Sequence, residues 1–421
     1  MSQALAIDLT RLFVSLARGR PRGIERVDLD YCEAALRDFT GDVFGIIAYP
    51  WGPRMLERGT LSALVQGVRA IWAEDGPASQ DAQFDWVRRK LTGDPDGRPR
   101  RPRGRRIVTE IGRVVTRTGL RRGRSINDLP RSAIYLNVGQ VGFAVDRATA
   151  WLNQRRDVRV VSFLHDLLPL HSPEWFKAGN QAYFGRVLDR LVARSDLIVV
   201  STETTADQLR SHLERHDLPD RKISVRPLAP SAALGHARSP DPELSSASYM
   251  MMCGTIEARK NHILPLLIWR DQLRRGVAMP KLLIAGQRGW GAAAALDLLD
   301  RSDVLKSHVV EASRLSTPAL MHLMSHARAV LVPSWSEGYG LPLAEALTLG
   351  VPVIASDIPV FREVAQDSAL LTDLLDGPQW RRRITALSNP QSPDWMEAQG
   401  MAARYRPALP IRMAQAFAEL S

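Results

Sequence analysis

Cysteine is nearly absent from this 421-residue chain, with Cys32 and Cys253 the only two. That is too few for a disulfide framework or a zinc site, so a reducing, cytoplasmic setting is the economical expectation. Lysine is also scarce, occurring only at positions 90, 177, 222, 260, 281 and 306 among 56 basic residues. No stretch offers the roughly 18 near-continuous apolar residues that a membrane-spanning helix needs. The opening MSQALAIDLT has no basic start and meets Asp8 early, so no signal peptide is expected there. No G-x-S-x-G elbow or P-loop occurs, which disfavours a hydrolase of that kind or an ATPase. The histidines show no metal spacing: His322 and His326 stand four apart, but without a third ligand or an HExxH pattern nearby. No metal site is expected.

What the chain does have is length, enough for two domains of roughly 200 residues each. It also has a net charge of +11, which is strongly localised. Within 98–124, eleven arginines meet a single acid, Glu110, so the remainder of the protein is nearly neutral. Three readings of this segment are open. It is a solvated loop, or a surface for anionic lipid, which the apolar IVTEIGRVV between basic flanks suits, or a nucleic-acid arm. No aromatic residue interrupts the run to stack on bases, so nucleic acid is not expected as a partner. An anionic membrane surface would make the protein peripheral on the inner membrane face.

Short β-branched runs alternate with longer amphipathic ones. ALAIDL (4–9), VFGIIAY (43–49), AIYLNV (133–138), VRVVSFL (158–164), DLIVVS (196–201) and KISVRPL (222–228) read as strands. A proline-, serine- and alanine-rich stretch at 229–248 reads as a linker. The alternation then resumes with YMMMCG (249–254), KLLIAG (281–286), HVVEA (308–312), RAVLVPS (328–334) and VPVIAS (351–356). The pattern predicts two α/β domains, 1–235 and 249–421, each with a parallel sheet and with ligands at the strand ends.

The stretch PSWSEGYGLPLAEALTLG (333–350) then becomes interpretable. A strand runs into a turn containing Gly338 and Gly340, followed by a helix with Pro342 in its first turn. The unpartnered first amides of such a helix form an anion site. Glu337 in the turn and Glu345 in the helix flank that site at different depths, which suits hydroxyls on either side of a phosphate. Taken alone, Glu345 reads almost as readily as a surface residue. A second corner, CGTIEARKNH (253–262), places Gly254 at a turn and Arg259 and Lys260 at the mouth of the next helix, where two cations could neutralise a diphosphate.

GTIEARKN, AGQRGWG and the Glu-x7-Glu stretch resemble the donor-binding half of family 4 retaining glycosyltransferases. RPRGIERV and FLHDLLPLHSPEWF are similar to the same family, especially its bacterial mannosyltransferase-like members. The likeness covers 249–372 and parts of 1–30 and 160–210, and is absent over 50–130. It implies the GT-B fold, two Rossmann-like domains with parallel sheets facing a central cleft. It further implies a hexosyltransferase that needs no metal or other cofactor. The donor would be a GDP-, UDP- or dTDP-linked sugar, and the acceptor a saccharide or lipid-linked saccharide in cell-surface polysaccharide synthesis. In this scheme Arg259 and Lys260 hold the diphosphate. Glu337 and the amides of Gly338, Tyr339, Gly340 and Leu341 hold sugar and phosphate. Glu345 binds the ribose, His165 faces the donor sugar and the acceptor, and Gly23 lies under the diphosphate. Glu337 and His165 are the catalytic candidates, and Trp290 is expected to line the nucleotide pocket. Thr255 stands where many members carry arginine, leaving Arg259 to supply that charge. Gln366 replaces a usual glycine, and the tail 404–420, whose last helix is a candidate to dock on the N-terminal domain, lacks a common tryptophan. The alternatives are a GT-B epimerase or phosphorylase, or a catalytically silent sugar-nucleotide-binding protein.

Overall fold

The computed structural model of the protein describes residues 3–16, 20–49, 51–72, 76–93, 123–231, 234, 239–413, 417 and 420. The basic segment 98–124 lies outside these residues except for Gly123 and Arg124, and the membrane-surface expectation lies there with it.

The first domain is built on eight strands: β1 (Leu5–Asp8), β2 (Val43–Tyr49), β3 (Gly52–Leu56), β4 (Arg124–Ser125), β5 (Ile134–Asn137), β6 (Arg159–Leu164), β7 (Leu197–Val200) and β8 (Lys222–Val225). Their order is β4-β3-β2-β1-β5-β6-β7-β8. Six of them are parallel, as the sequence pattern predicts, with Leu5 beside both Val43 and Ile134 in register. The antiparallel edge pair β3 and β4 was not expected: Gly52 (φ 121°) turns the chain back so that Gly45 faces Leu56. Every residue of β1, β5 and β7 is buried, as strands covered on both faces must be.

The second domain is a wholly parallel sheet of β9 (Tyr249–Cys253), β10 (Lys281–Ala285), β11 (Val309–Ala312), β12 (Val330–Val332), β13 (Val353–Ser356) and β14 (Leu370–Thr372), in the order β11-β10-β9-β12-β13-β14. The three-residue β14 escaped the sequence reading because LLT is too short to show a period. Each sheet changes winding direction once, between β1 and β5 and between β9 and β12. Crevices at the carboxyl ends of the strands open at such switch points, and the two switch points face each other across the cleft.

Contacts on several elements hold the domains together around that cleft. Trp175 stacks on Trp335, with ring centroids 5.8 Å apart and planes 10° apart. Glu363 accepts hydrogen bonds from the backbone N–H groups of Glu203 and Thr204 at 2.6 and 3.0 Å, capping the first-domain helix Glu203–Arg215 from the second domain. The helix Ala82–Thr92, in a region unlike the family, reaches across to β11 and to a short helix, Pro242–Ser246, inside the linker. Phe84 on that helix meets His322 edge-on at 5.3 Å. The chain then returns to the first domain, where Phe417 packs edge-on against Phe39 at 6.3 Å. Gln366 takes a left-handed backbone (φ 50°), the conformation that the glycine expected there would adopt, and its side-chain amide pairs with the backbone of Arg406 at 3.1 and 3.3 Å.

Candidate active site

The corner after β12 is fixed by backbone chemistry. Gly340 is the N-cap of the helix Leu341–Thr348 at φ 92°, ψ 49°, a conformation that side chains with a Cβ resist. The helix closes with the N–H of Gly350 on Leu347 O and that of Val351 on Ala346 O, both at 2.9 Å, the six-to-one, five-to-two closure that glycine favours. Gly338 lies against the first domain: a Cβ there would stand 2.8 Å from His165 O and 2.9 Å from Asp166 Cβ. No other residue fits without separating the two domains.

Glu337 is buried and serves as a hub. Oε2 accepts from Arg259 Nη1 at 2.5 Å, and Oε1 accepts from Ser334 Oγ at 2.8 Å and from Lys260 Nζ. Burial alone would raise its pKa, but the two cations outweigh it and bring the carboxyl down to about 2. Arg259 also donates to Glu257 at 2.8 Å and to Ser336 O at 2.7 Å. The two cations assigned to the diphosphate thus stand on one carboxylate, with Gly254 directly beneath Lys260.

Glu345, 1% exposed, faces the first domain and forms an ion pair with Arg26. Burial pushes its pKa up and Arg26 opposes that shift. It is therefore no surface residue, and its partner was missing from the sequence reading. Arg26 belongs to the helix Gly23–Asp38, whose first turn places Gly23 under Leu341.

His165 follows β6 and is buried. Its Nε2 lies 2.9 Å from Val138 O. A carbonyl only accepts, so Nε2 carries the proton and Nδ1 is the bare nitrogen. Burial, with help from Arg11, lowers the imidazole pKa to about 3, so the ring is neutral. The adjacent Asp166 carboxyl is raised by burial, against the pull of Arg259.

These side chains share one cavity of about 480 Å³ between the domains. Gly23, His165, Gly254, Thr255, Arg259, Lys260, Glu337, Gly338, Tyr339, Gly340, Leu341 and Glu345 all line it. Trp290 does not. Its indole N–H donates to Trp175 O at 3.0 Å, with Lys177 over the ring at 5.7 Å, so it belongs to the aromatic contact between the domains. A strand-end position beside the cleft was a poor guide, because a half-buried indole goes where its N–H finds an acceptor. The cavity adds Arg11, Arg20, Arg22, Arg26 and Arg314, giving seven cations against five carboxylates on its walls. That excess suits a polyanionic ligand.

Residues 241–387 match the family described as glycosyl transferases group 1. That stretch of the second domain is therefore similar to this family. A serotype-specific mannosyltransferase WbdA of Escherichia coli is 31% identical over 219 residues, 49% of this chain and 27% of that protein. O-antigen chain mannosyltransferase B of Escherichia coli is 29% identical over 257 residues, 58% of this chain and 65% of that one. The chain thus spans about a quarter of the length of the first of these relatives. Among solved structures, a sucrose-phosphate synthase from Thermosynechococcus elongatus superposes with a TM-score of 0.57 at 16% identity, covering 99% of both chains. Anabaena HepE in complex with UDP gives 0.55 at 15% identity, covering 98% of both. These likenesses show the fold, the GT-B architecture of two facing α/β domains.

Proposed function

We propose that this protein is a retaining, metal-independent hexosyltransferase of family 4. It would move a sugar, mannose by the names of its relatives, from a nucleoside diphosphate to a saccharide or lipid-linked saccharide in cell-surface polysaccharide synthesis. The observation that carries this reading is the Glu337–Arg259–Lys260 hub beside the Leu341–Thr348 helix start, within a net positive cavity at two facing switch points. Arg259, Lys260 and the helix amides would meet the diphosphate and stabilise the negative charge that grows on it as the glycosidic bond breaks. That is the electrostatic work a divalent ion would otherwise do. Glu337 would face the sugar, and Glu345 with Arg26 the ribose.

Retention follows from where the basic groups are. Inversion would need a base on the face opposite the leaving group. His165 is the candidate across the cleft, with Nδ1 as its bare nitrogen, but its lowered pKa makes it a weak base. The leaving diphosphate oxygen can instead take the acceptor proton on the same face. Incubation of GDP-mannose with a saccharide acceptor, followed by proton NMR of the product, is expected to show an α-linkage at an unchanged rate in excess EDTA. A β-linkage would overturn the mechanism, and activity lost in EDTA and restored by Mg²⁺ would overturn metal independence.

The arginine segment 98–124 is proposed to bind anionic lipid at the inner membrane face. Co-sedimentation with phosphatidylglycerol vesicles should fall steeply with salt, because such attraction is screened within about 8 Å at physiological ionic strength. Unchanged sedimentation after deletion of 98–124 would refute this.

A further inference from the structure

The second domain alone does not complete the nucleoside end of the cavity. Moving along the strand ends from Glu337 after β12, past β9 and β10 to β11, crosses three strand spacings, roughly 14 Å at about 4.8 Å each. The cavity wall there is the loop after β11, where Arg314, Leu315 and Thr317 face inward. Arg314 has a left-handed backbone (φ 65°), which disfavours a residue with a Cβ and persists only where neighbours over-determine it. Those neighbours belong to the other domain. Arg20 Nε donates to Arg314 O at 3.1 Å, and Asp81 Oδ2 accepts from Ser316 N at 2.7 Å. The two side chains are themselves linked, Arg20 Nη2 lying 3.5 Å from Asp81 Oδ2, and Arg20 Nη1 is tied back to Trp72 O at 2.7 Å. Asp81 in turn is the N-cap of the helix Ala82–Thr92, accepting from Gln83 N at 2.9 Å. The region unlike the family, through Asp81, therefore joins Arg20 in supporting the 314–317 loop.

We propose that Arg20 and Asp81 are positioning residues for the donor: they hold the 314–317 loop in the shape that receives the nucleoside. The proposal rests on the nucleotide-sugar reading above. Nucleoside affinity then depends on the first domain, and donor binding and domain closure favour each other, because whatever orders the loop lowers the cost of binding. Asp81 accepts from Ser316 N–H through Oδ2 and from Gln83 N–H through Oδ1, so asparagine, with one acceptor oxygen and an amide nitrogen that only donates, keeps one of the two bonds and loses the charge beside Arg20.

The test is isothermal titration of the full chain with GDP, UDP and dTDP, alongside donor kinetics. Arg20→Ala and Asp81→Ala are each expected to raise the Kd for the nucleotide that the wild type binds by about tenfold, the scale of a hydrogen bond to a charged group. Donor KM should rise in parallel while kcat stays within a few-fold. Asp81→Asn should fall between the wild type and Asp81→Ala. The double substitution should be no worse than the worse single one, because the two residues act as one unit. Circular dichroism and thermal melting establish that each variant is folded, and Arg20→Lys with Asp81→Asn serve if the alanine variants are not. Unchanged Kd in folded variants, or kcat lost at unchanged KM, overturns the proposal. Failure of the wild type to bind any of the three nucleotides sinks the nucleotide-sugar reading itself, a result distinguishable from the first.

Discussion

Glu337→Gln is expected to lower kcat by about 10²–10³-fold, the loss seen when a charge-stabilising group is removed from a preorganised site. Donor KM should stay level or fall. The sign follows from the hub: without the carboxylate charge, Arg259 and Lys260 lose their main partner and present more net positive charge to a diphosphate. Binding is thereby preserved, while the negative charge facing an oxocarbenium-like sugar is lost. Glutamine keeps the volume and an acceptor for Ser334 Oγ, so the protein should fold. Glu337→Ala leaves Lys260 without this carboxylate and Arg259 with Glu257 alone, and removal of one member of a buried pair costs about 3–5 kcal/mol. Its melting temperature should fall well below that of the glutamine variant. The carboxyl pKa is depressed from 4.5 to about 2, so the pairing stabilises the fold above pH 4.5 and is lost only as the pH falls toward 2. Steady-state kinetics with the donor varied decide the matter: kcat within a few-fold of wild type in Glu337→Gln would remove Glu337 from the chemistry.

The two sheets were legible because their strands are short, β-branched and separated by amphipathic stretches, a pattern few other folds produce. The corner at 337–345 was legible because Gly340, Pro342 and Gly350 have backbone conformations that dictate local shape without tertiary information. The partners of the acids were not. Arg26 and Glu345 lie 319 positions apart, and Arg20 and Arg314 lie 294 apart. In a chain with so many arginines, none of these stands out before folding brings it to a carboxylate or a carbonyl. Trp290 failed for the complementary reason: its neighbourhood in sequence was right, but its hydrogen-bond acceptor, Trp175 O, came from the other domain. The support given by the Ala82–Thr92 helix was hidden because 50–130 resembles nothing in the family and ends in the arginine run.

The Arg26–Glu345 pair should make donor affinity dependent on pH once it is broken. Glu345→Ala is expected to weaken donor binding by roughly 1–3 kcal/mol, the value of a hydrogen bond to a charged group. Arg26→Ala is the more informative change. Burial already raises the Glu345 pKa above its ordinary 4.5, and the Arg26 charge opposes that shift. With Arg26 removed, the pKa rises further and the carboxyl holds its proton at higher pH. A protonated carboxyl is a poorer acceptor for ribose hydroxyls, so the Arg26→Ala variant should bind donor weakly at low pH and regain affinity as the pH rises. The stability of this variant should run the opposite way. A folded-state pKa above the unfolded one means that the folded form binds more protons in that window, so stability falls as the pH climbs through it. Donor titration of wild type, Arg26→Ala, Glu345→Ala and the double variant between pH 5.5 and 8.5 separates the two roles. The double variant should lose the pH dependence altogether, because the titrating group is gone. An Arg26→Ala variant with pH-independent affinity equal to wild type would show that Glu345 does not meet the ribose.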